Sequence, residues 1–180
     1  MLHNISLRLN LKSLIAKSKQ SQSKRMAKNF SIIDSVLIVW DATQPKQEIE
    51  ELKTFGHELR QMGKAITFLA YHPIKKLTPD MQPNELYQLA SKADFSFFEV
   101  PKGVELKKNL AKPFDIFING CLKEHKLLIT LAAFTQSKFR IGPYIDASDT
   151  HFYELMIKPN GADLLENYLI EIGKHLKKIH

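Results

Sequence analysis

Val36-Leu37-Ile38-Val39-Trp40 is an unbroken apolar run, rich in β-branched side chains, that stops at Asp41. A strand with one wet face alternates apolar and polar residues. A strand without that alternation has both faces covered, as in a parallel sheet held between two layers of helices. Runs of the same kind recur at Ala65–Tyr71, closed by His72-Pro73, and at Phe114–Ile118, closed by Asn119-Gly120. Between the first two, Ile49, Leu52, Phe55, Leu59 and Met62 fall at helical spacing, with Pro45 suited to the first turn and Gly63 to the stop. Strand, helix, strand is the unit from which parallel sheets are built.

The remainder continues that alternation with weaker signals. The sequence predicts a loop over Lys75–Pro83, a short helix over Asn84–Ala90, a strand over Phe95–Val100 and a short helix over Val104–Ala111. Leu127–Phe134 is apolar nearly all round and predicts a helix packed deeply on the sheet. Phe139–Ile141 and Tyr153–Ile157 read as strands. The closing helix carries Leu164, Leu165, Tyr168, Leu169, Ile172 and Leu176 on one face, and Lys174, Lys177 and Lys178 at its end match its dipole. The expected fold is α/β: a single doubly wound, mostly parallel sheet of about five or six strands with helices on both faces. This Rossmann-like domain covers residues 34–180, and residues 1–33 form a basic N-terminal arm or helix.

Charge separates the two parts. Of the 180 residues, 26 are Lys or Arg and 19 are Asp or Glu. No acidic residue lies between Met1 and Ile33, whereas Arg8, Lys12, Lys17, Lys19, Lys24, Arg25 and Lys28 do. From Asp34 onward the chain is balanced, so the whole net charge of +7 belongs to the arm. Such asymmetry points to an acidic partner: nucleic acid, an anionic membrane or an acidic protein face. Leu7, Leu11, Leu14 and Ile15 would share one stripe of an arm helix, so a helix packed across its own domain is the competing use of the segment. No apolar run reaches the roughly 20 residues of a membrane span. The single cysteine, Cys121, excludes an internal disulfide and any cysteine-based zinc site. A cytoplasmic protein is expected.

Ligands of open parallel sheets lie outside the carboxyl ends of the strands. Those ends offer Asp41 and Thr43, then His72, then Asn119 with Gly120 and Cys121, then Gly142. Asp41 could hold a metal or hydroxyl groups, or Asp41 or Thr43 could simply cap the next helix. Asp41-Ala42-Thr43 resembles the first motif of haloacid-dehalogenase-like phosphatases, but threonine stands where that family has its general acid. Cys121 would need a base to become a nucleophile, and His125 lies within a turn of it. Asp146, Asp149 and His151 are metal-ligand types in one loop, without the spacing of a tight site. No glycine-rich phosphate loop follows the first strand, and neither a Gly-x-Ser-x-Gly elbow nor a His-Glu-x-x-His helix is present. No cofactor and no metal are therefore expected.

The basic leader, Ser35-Val-Leu-Ile-Val-Trp-Asp41-Ala-Thr43, Phe114-Asp-Ile-Phe-Ile-Asn119 and Ser137-Lys-Phe-Arg-Ile-Gly142 together resemble a family of short proteins of Bacteroidota-type bacteria that carries no assigned activity. The stretch Phe114–Gly142 also resembles part of the N-terminal domain of heptosyltransferase-like glycosyltransferases, without the second domain those enzymes use for a sugar nucleotide. The function expected is a non-catalytic binding or adaptor protein whose arm contacts an acidic partner such as RNA. The alternative is a small-molecule-binding enzyme with Asp41, Thr43 and Asn119 converging in one pocket.

Overall fold

The computed structural model describes residues 33–74, 87–145, 153–158 and 164–178. Residues 1–32 of the basic arm and the loop with Asp146, Asp149 and His151 lie outside them. Among the described residues six strands form one sheet, all neighbours parallel: β1 (Ser35–Asp41), β2 (Ala65–His72), β3 (Tyr87–Ser91), β4 (Pro113–Asn119), β5 (Gln136–Pro143) and β6 (Leu155–Ile157). Their spatial order is β3-β2-β1-β4-β5-β6, the order of the doubly wound dinucleotide-binding folds. The described helices are α1 (Lys46–Gln61), α2 (Val104–Leu110), α3 (Lys126–Phe134) and α4 (Leu164–Lys178).

The apolar run of β1 is buried on both faces because successive side chains point to opposite sides. Val36, Ile38 and Trp40 join a core with Leu52, Phe55 and Leu59 of α1 and Leu165, Tyr168 and Ile172 of α4. Leu37 and Val39 enter the other core, with Leu106 and Leu110 of α2 and Leu128, Leu131 and Ala132 of α3. The sheet is thus covered by α1 and α4 on one face and by α2 and α3 on the other. Helix α1 approaches closely enough that a Cβ at Gly56 would stand 2.3 Å from the ring of Phe68. That ring packs edge-on against Trp40 at 5.5 Å between centroids. Gly63 ends α1 at a φ of 81°, where glycine carries no steric cost.

Two expectations fail in the middle of the chain. Tyr87–Ala90, expected in a short helix, belongs to edge strand β3, paired from Phe68↔Tyr87 to His72↔Ser91. Its mixed composition favours neither state, and the open edge of β2 supplies the hydrogen bonds that decide. Phe95–Val100, expected as a strand, is a tight turn closed by an isolated antiparallel bridge between Phe95 and Pro101. A capping box between Ser91 and Asp94 bends the chain before it can extend. Glu99 then adopts a φ of 60°, and Phe97 and Phe98 point outward.

Candidate functional site

The chain leaves β1 toward the α1 face and leaves β4 toward the α3 face, so the crevice of this topology opens between their carboxyl ends. Register sets what reaches it. Asp41 has the parity of Leu37 and Val39 and therefore faces the α2/α3 side, with Tyr71 beside it in β2. On that side α3 begins, and its N-cap is His125.

Asp41 and His125 meet there. Nε2 of His125 lies 2.9 Å from Oδ2 of Asp41, with side chains 21% and 15% exposed, so the pair borders solvent without being open to it. The backbone N–H of Leu128 donates to Nδ1 of His125 at 3.4 Å, which makes that nitrogen an acceptor. In the neutral ring the proton then resides on Nε2 and is donated to Asp41. The second oxygen of Asp41 accepts from the amide and the hydroxyl of Thr43, at 2.8 and 2.7 Å. Tyr71 stacks edge-on against His125 at 5.2 Å. Burial raises the phenol pKa of Tyr71, and the charges of Asp41 and Glu99 raise it further.

Gln44 completes the closure. Its Oε1 accepts the amide of Asp41 at 2.9 Å, while Nε2 donates to Glu48 in α1 and to the carbonyl of Gly120 beyond β4. The Gly120 amide returns a bond to the Val39 carbonyl at 2.7 Å. At this approach only glycine fits: a Cβ at position 120 would lie 2.5 Å from Leu52 and 3.1 Å from the Val39 oxygen. Two side chains, Asp41 and Gln44, therefore tie the β1–α1 loop to the β4–α3 loop across the crevice.

Asn119 faces inward. It is 2% exposed; its Oδ1 accepts from the Cys121 amide and its Nδ2 donates to the Tyr153 hydroxyl, while its carbonyl accepts from Tyr168 of α4. Burial drives both phenols far above their ordinary range. Cys121 is buried and its thiol pKa is raised, first by desolvation. His125 is engaged with Asp41, so it is not the base that would make the cysteine a nucleophile.

Of the three residues expected to share a pocket, Asp41 and Thr43 are together and Asn119 is buried among tyrosines. Neither Asp41 nor Thr43 caps α1, whose N-cap is Pro45 with no side-chain bond. An anion at that helix start would meet the carboxylate of Glu48 in the first turn. The residues missed from sequence are Gln44, Tyr153 and Tyr168, and His125 was seen only beside Cys121. Helical and strand periodicity carried no trace of the contacts of Gln44 with Gly120, of Tyr153 and Tyr168 with Asn119 or of His125 with Asp41, since each joins segments dozens of positions apart. Among the described residues no group of three or more His, Cys, Asp or Glu is placed to hold a metal. No described helix is long and apolar enough to cross a membrane.

The chain belongs to a family of unknown function, DUF6913, whose model matches residues 3–179 and so takes in the basic leader as well as the α/β body. No curated protein and no solved structure matches it.

Proposed function

We propose that this family member is a non-catalytic binding protein whose basic N-terminal arm contacts an acidic partner, with RNA the first candidate. One observation carries the reading: seven positive charges and no acidic residue in Met1–Ile33, against a balanced remainder. Clustered Lys and Arg suit phosphate contacts, because each neutralised phosphate releases a counterion. The crevice supports the non-catalytic half. Asp41, Thr43 and Gln44 spend their hydrogen bonds on one another and on the neighbouring segments, and both ring nitrogens of His125 are already engaged, one by the Leu128 amide and one by Asp41. A cytoplasmic, bacterial setting goes with this proposal. So does a distant kinship of Phe114–Gly142 with heptosyltransferase-like enzymes that retains the fold without the transfer.

The test is binding of a fluorescent single-stranded RNA by the intact chain and by a chain with the seven basic residues changed to glutamine, across a salt series. Binding that weakens steeply with salt and vanishes in the substituted chain is the expected result. Equal affinity of the two chains would end the reading.

A small-molecule-binding enzyme remains the second reading, favoured by the partial exposure of the Asp41–His125 pair beside Tyr71. It requires a compound that raises the Tm of the intact protein and loses that effect in Asp41→Asn.

A further inference from the structure

Helices α1 and α4 lie side by side on one face of the sheet and leave a groove of about 690 Å³ along their seam. Its floor is apolar: Phe55 and Leu59 from α1, Leu169 and Leu176 from α4, with Met62 and Ile170 48% and 46% exposed at its edges. Glu50, Glu51 and Glu58 of α1 and Glu166 of α4 line it as well, against Lys174 and Lys177. The groove is thus an apolar trough with an excess of acidic groups. Phe97 and Phe98, also exposed, pack edge-on against each other at 5.4 Å on the turn before Pro101.

We infer that this groove is the docking site of the chain's own N-terminal segment, with Leu7, Leu11, Leu14 and Ile15 on its floor and the flanking Arg8 and Lys12 toward its glutamates. Three observations converge. First, the four apolar residues share one face at helical spacing, and an apolar stripe of that kind is stable only when covered. Second, charge is complementary, since the segment holds no acid and the groove is acidic on balance. Third, the chain enters the described structure at the right place. Ile33 is 2% exposed and packs in the same core cluster as Phe55, Leu59, Leu169 and Leu176, the groove's floor.

Reach is sufficient. Residues 16–32 can span roughly 55 Å when extended, while α1, with its 16 residues, is about 24 Å long. A tethered segment meets its groove at an effective concentration in the millimolar range, so a modest apolar contact holds it. Docking would leave Lys19, Lys24, Arg25 and Lys28 of the intervening stretch clear of the groove. The inference goes beyond the proposed partner binding and does not depend on it: the leucine face serves the groove whether or not the basic residues serve RNA.

The experiment uses the full chain, without RNA, carrying Cys121→Ser and a spin label at Asn10→Cys, with methyl groups observed by NMR. The expected result is loss of most intensity for the Leu59, Met62, Leu169 and Ile170 methyls, with Leu106, Leu110 and Leu131 on the opposite face unaffected. A second chain with Glu50→Lys, Glu51→Lys and Glu58→Lys, all on the helix surface, should recover the lost intensity with its unlabelled spectrum otherwise folded. Mixing the spin-labelled chain with an isotopically enriched, unlabelled one should produce no broadening. No preferential broadening of groove methyls, retention of the effect in the triple variant, or broadening in the mixture (a second copy as occupant) would each overturn the proposal. An RNA-binding failure would leave this result unchanged, so the two readings fail separately.

Discussion

Asp115 is nearly buried at the amino end of β4, where burial alone would raise its pKa. The Lys138 ammonium at 2.7 Å and the amides of Asp34 and Ser35 outweigh that cost and bring the carboxyl down to about 2. A carboxyl held below its unfolded value stabilises the fold above the unfolded pKa, and that contribution disappears as pH falls through the folded one. With Lys138 half exposed and the pair screened accordingly, Asp115→Asn should cost about 1–2 kcal/mol at pH 7. The difference should hold down to roughly pH 4 and shrink toward pH 2. Urea unfolding at several pH values checks it, and a pH-independent difference would refute the ion-pair account. Asn119 shows the opposite economy. Neutral, with both side-chain polar atoms bonded, it joins β4 to Tyr153 and Tyr168, which is why a residue that looked like a ligand from its position at a strand end serves packing. Asn119→Ala should cost about 2 kcal/mol or more, because the Cys121 amide and the Tyr153 hydroxyl would be left unpaired in the core. Thermal unfolding of the variant measures it.

Elements constrain their neighbours through close approaches that composition does not announce. Tyr153 lies across Gly142 near the end of β5, and a Cβ there would stand 2.4 Å from its ring. The ring cannot yield easily because its hydroxyl is bonded to Asn119, so Gly142→Ala should destabilise by about 1–3 kcal/mol. In Tyr153→Phe, which frees the ring from that bond, the same glycine substitution should cost less. Strand β5 is also tied to the approach to β6 by Arg140, which is 0% exposed and binds Glu154 at 3.2 and 3.3 Å and the Ala132 carbonyl at 2.8 Å. Removing one partner strands the other charge, so Arg140→Met should cost about 3–5 kcal/mol, and the double variant Arg140→Met/Glu154→Gln less than the sum. A double-mutant cycle by denaturant unfolding decides between coupling and independent packing roles. Elements with a strong apolar signal were legible in advance: the unbroken runs of β1 and β4, the all-round apolar α3 and the helical stripes of α1 and α4 lie where the sequence puts them. Where the period was weak, at Tyr87–Ala90 and Phe95–Val100, the hydrogen-bonding edge of β2 and the Ser91–Asp94 box chose the conformation.

For the molecule as a whole, charge is unevenly divided: residues 1–33 hold seven cations and no acid, and the remainder is balanced. If all seven cations met phosphates of a single strand, the logarithm of affinity would fall with the logarithm of salt at a slope of about −5. Arm docking through Arg8 and Lys12 predicts a shallower slope that steepens in the Glu50→Lys/Glu51→Lys/Glu58→Lys chain, and equilibrium titration at several salt concentrations would measure both. Fold class, sheet type and charge division were written in one dimension, because burial on both faces, helical periodicity and net charge are properties of consecutive residues. The partners of Asp41, Asn119 and Arg140 were not, and only the folded chain assigns them. Asp41 meets His125 because β1 and β4 are neighbours and their loops leave on opposite faces, and no local interaction encodes a meeting of residues 84 positions apart.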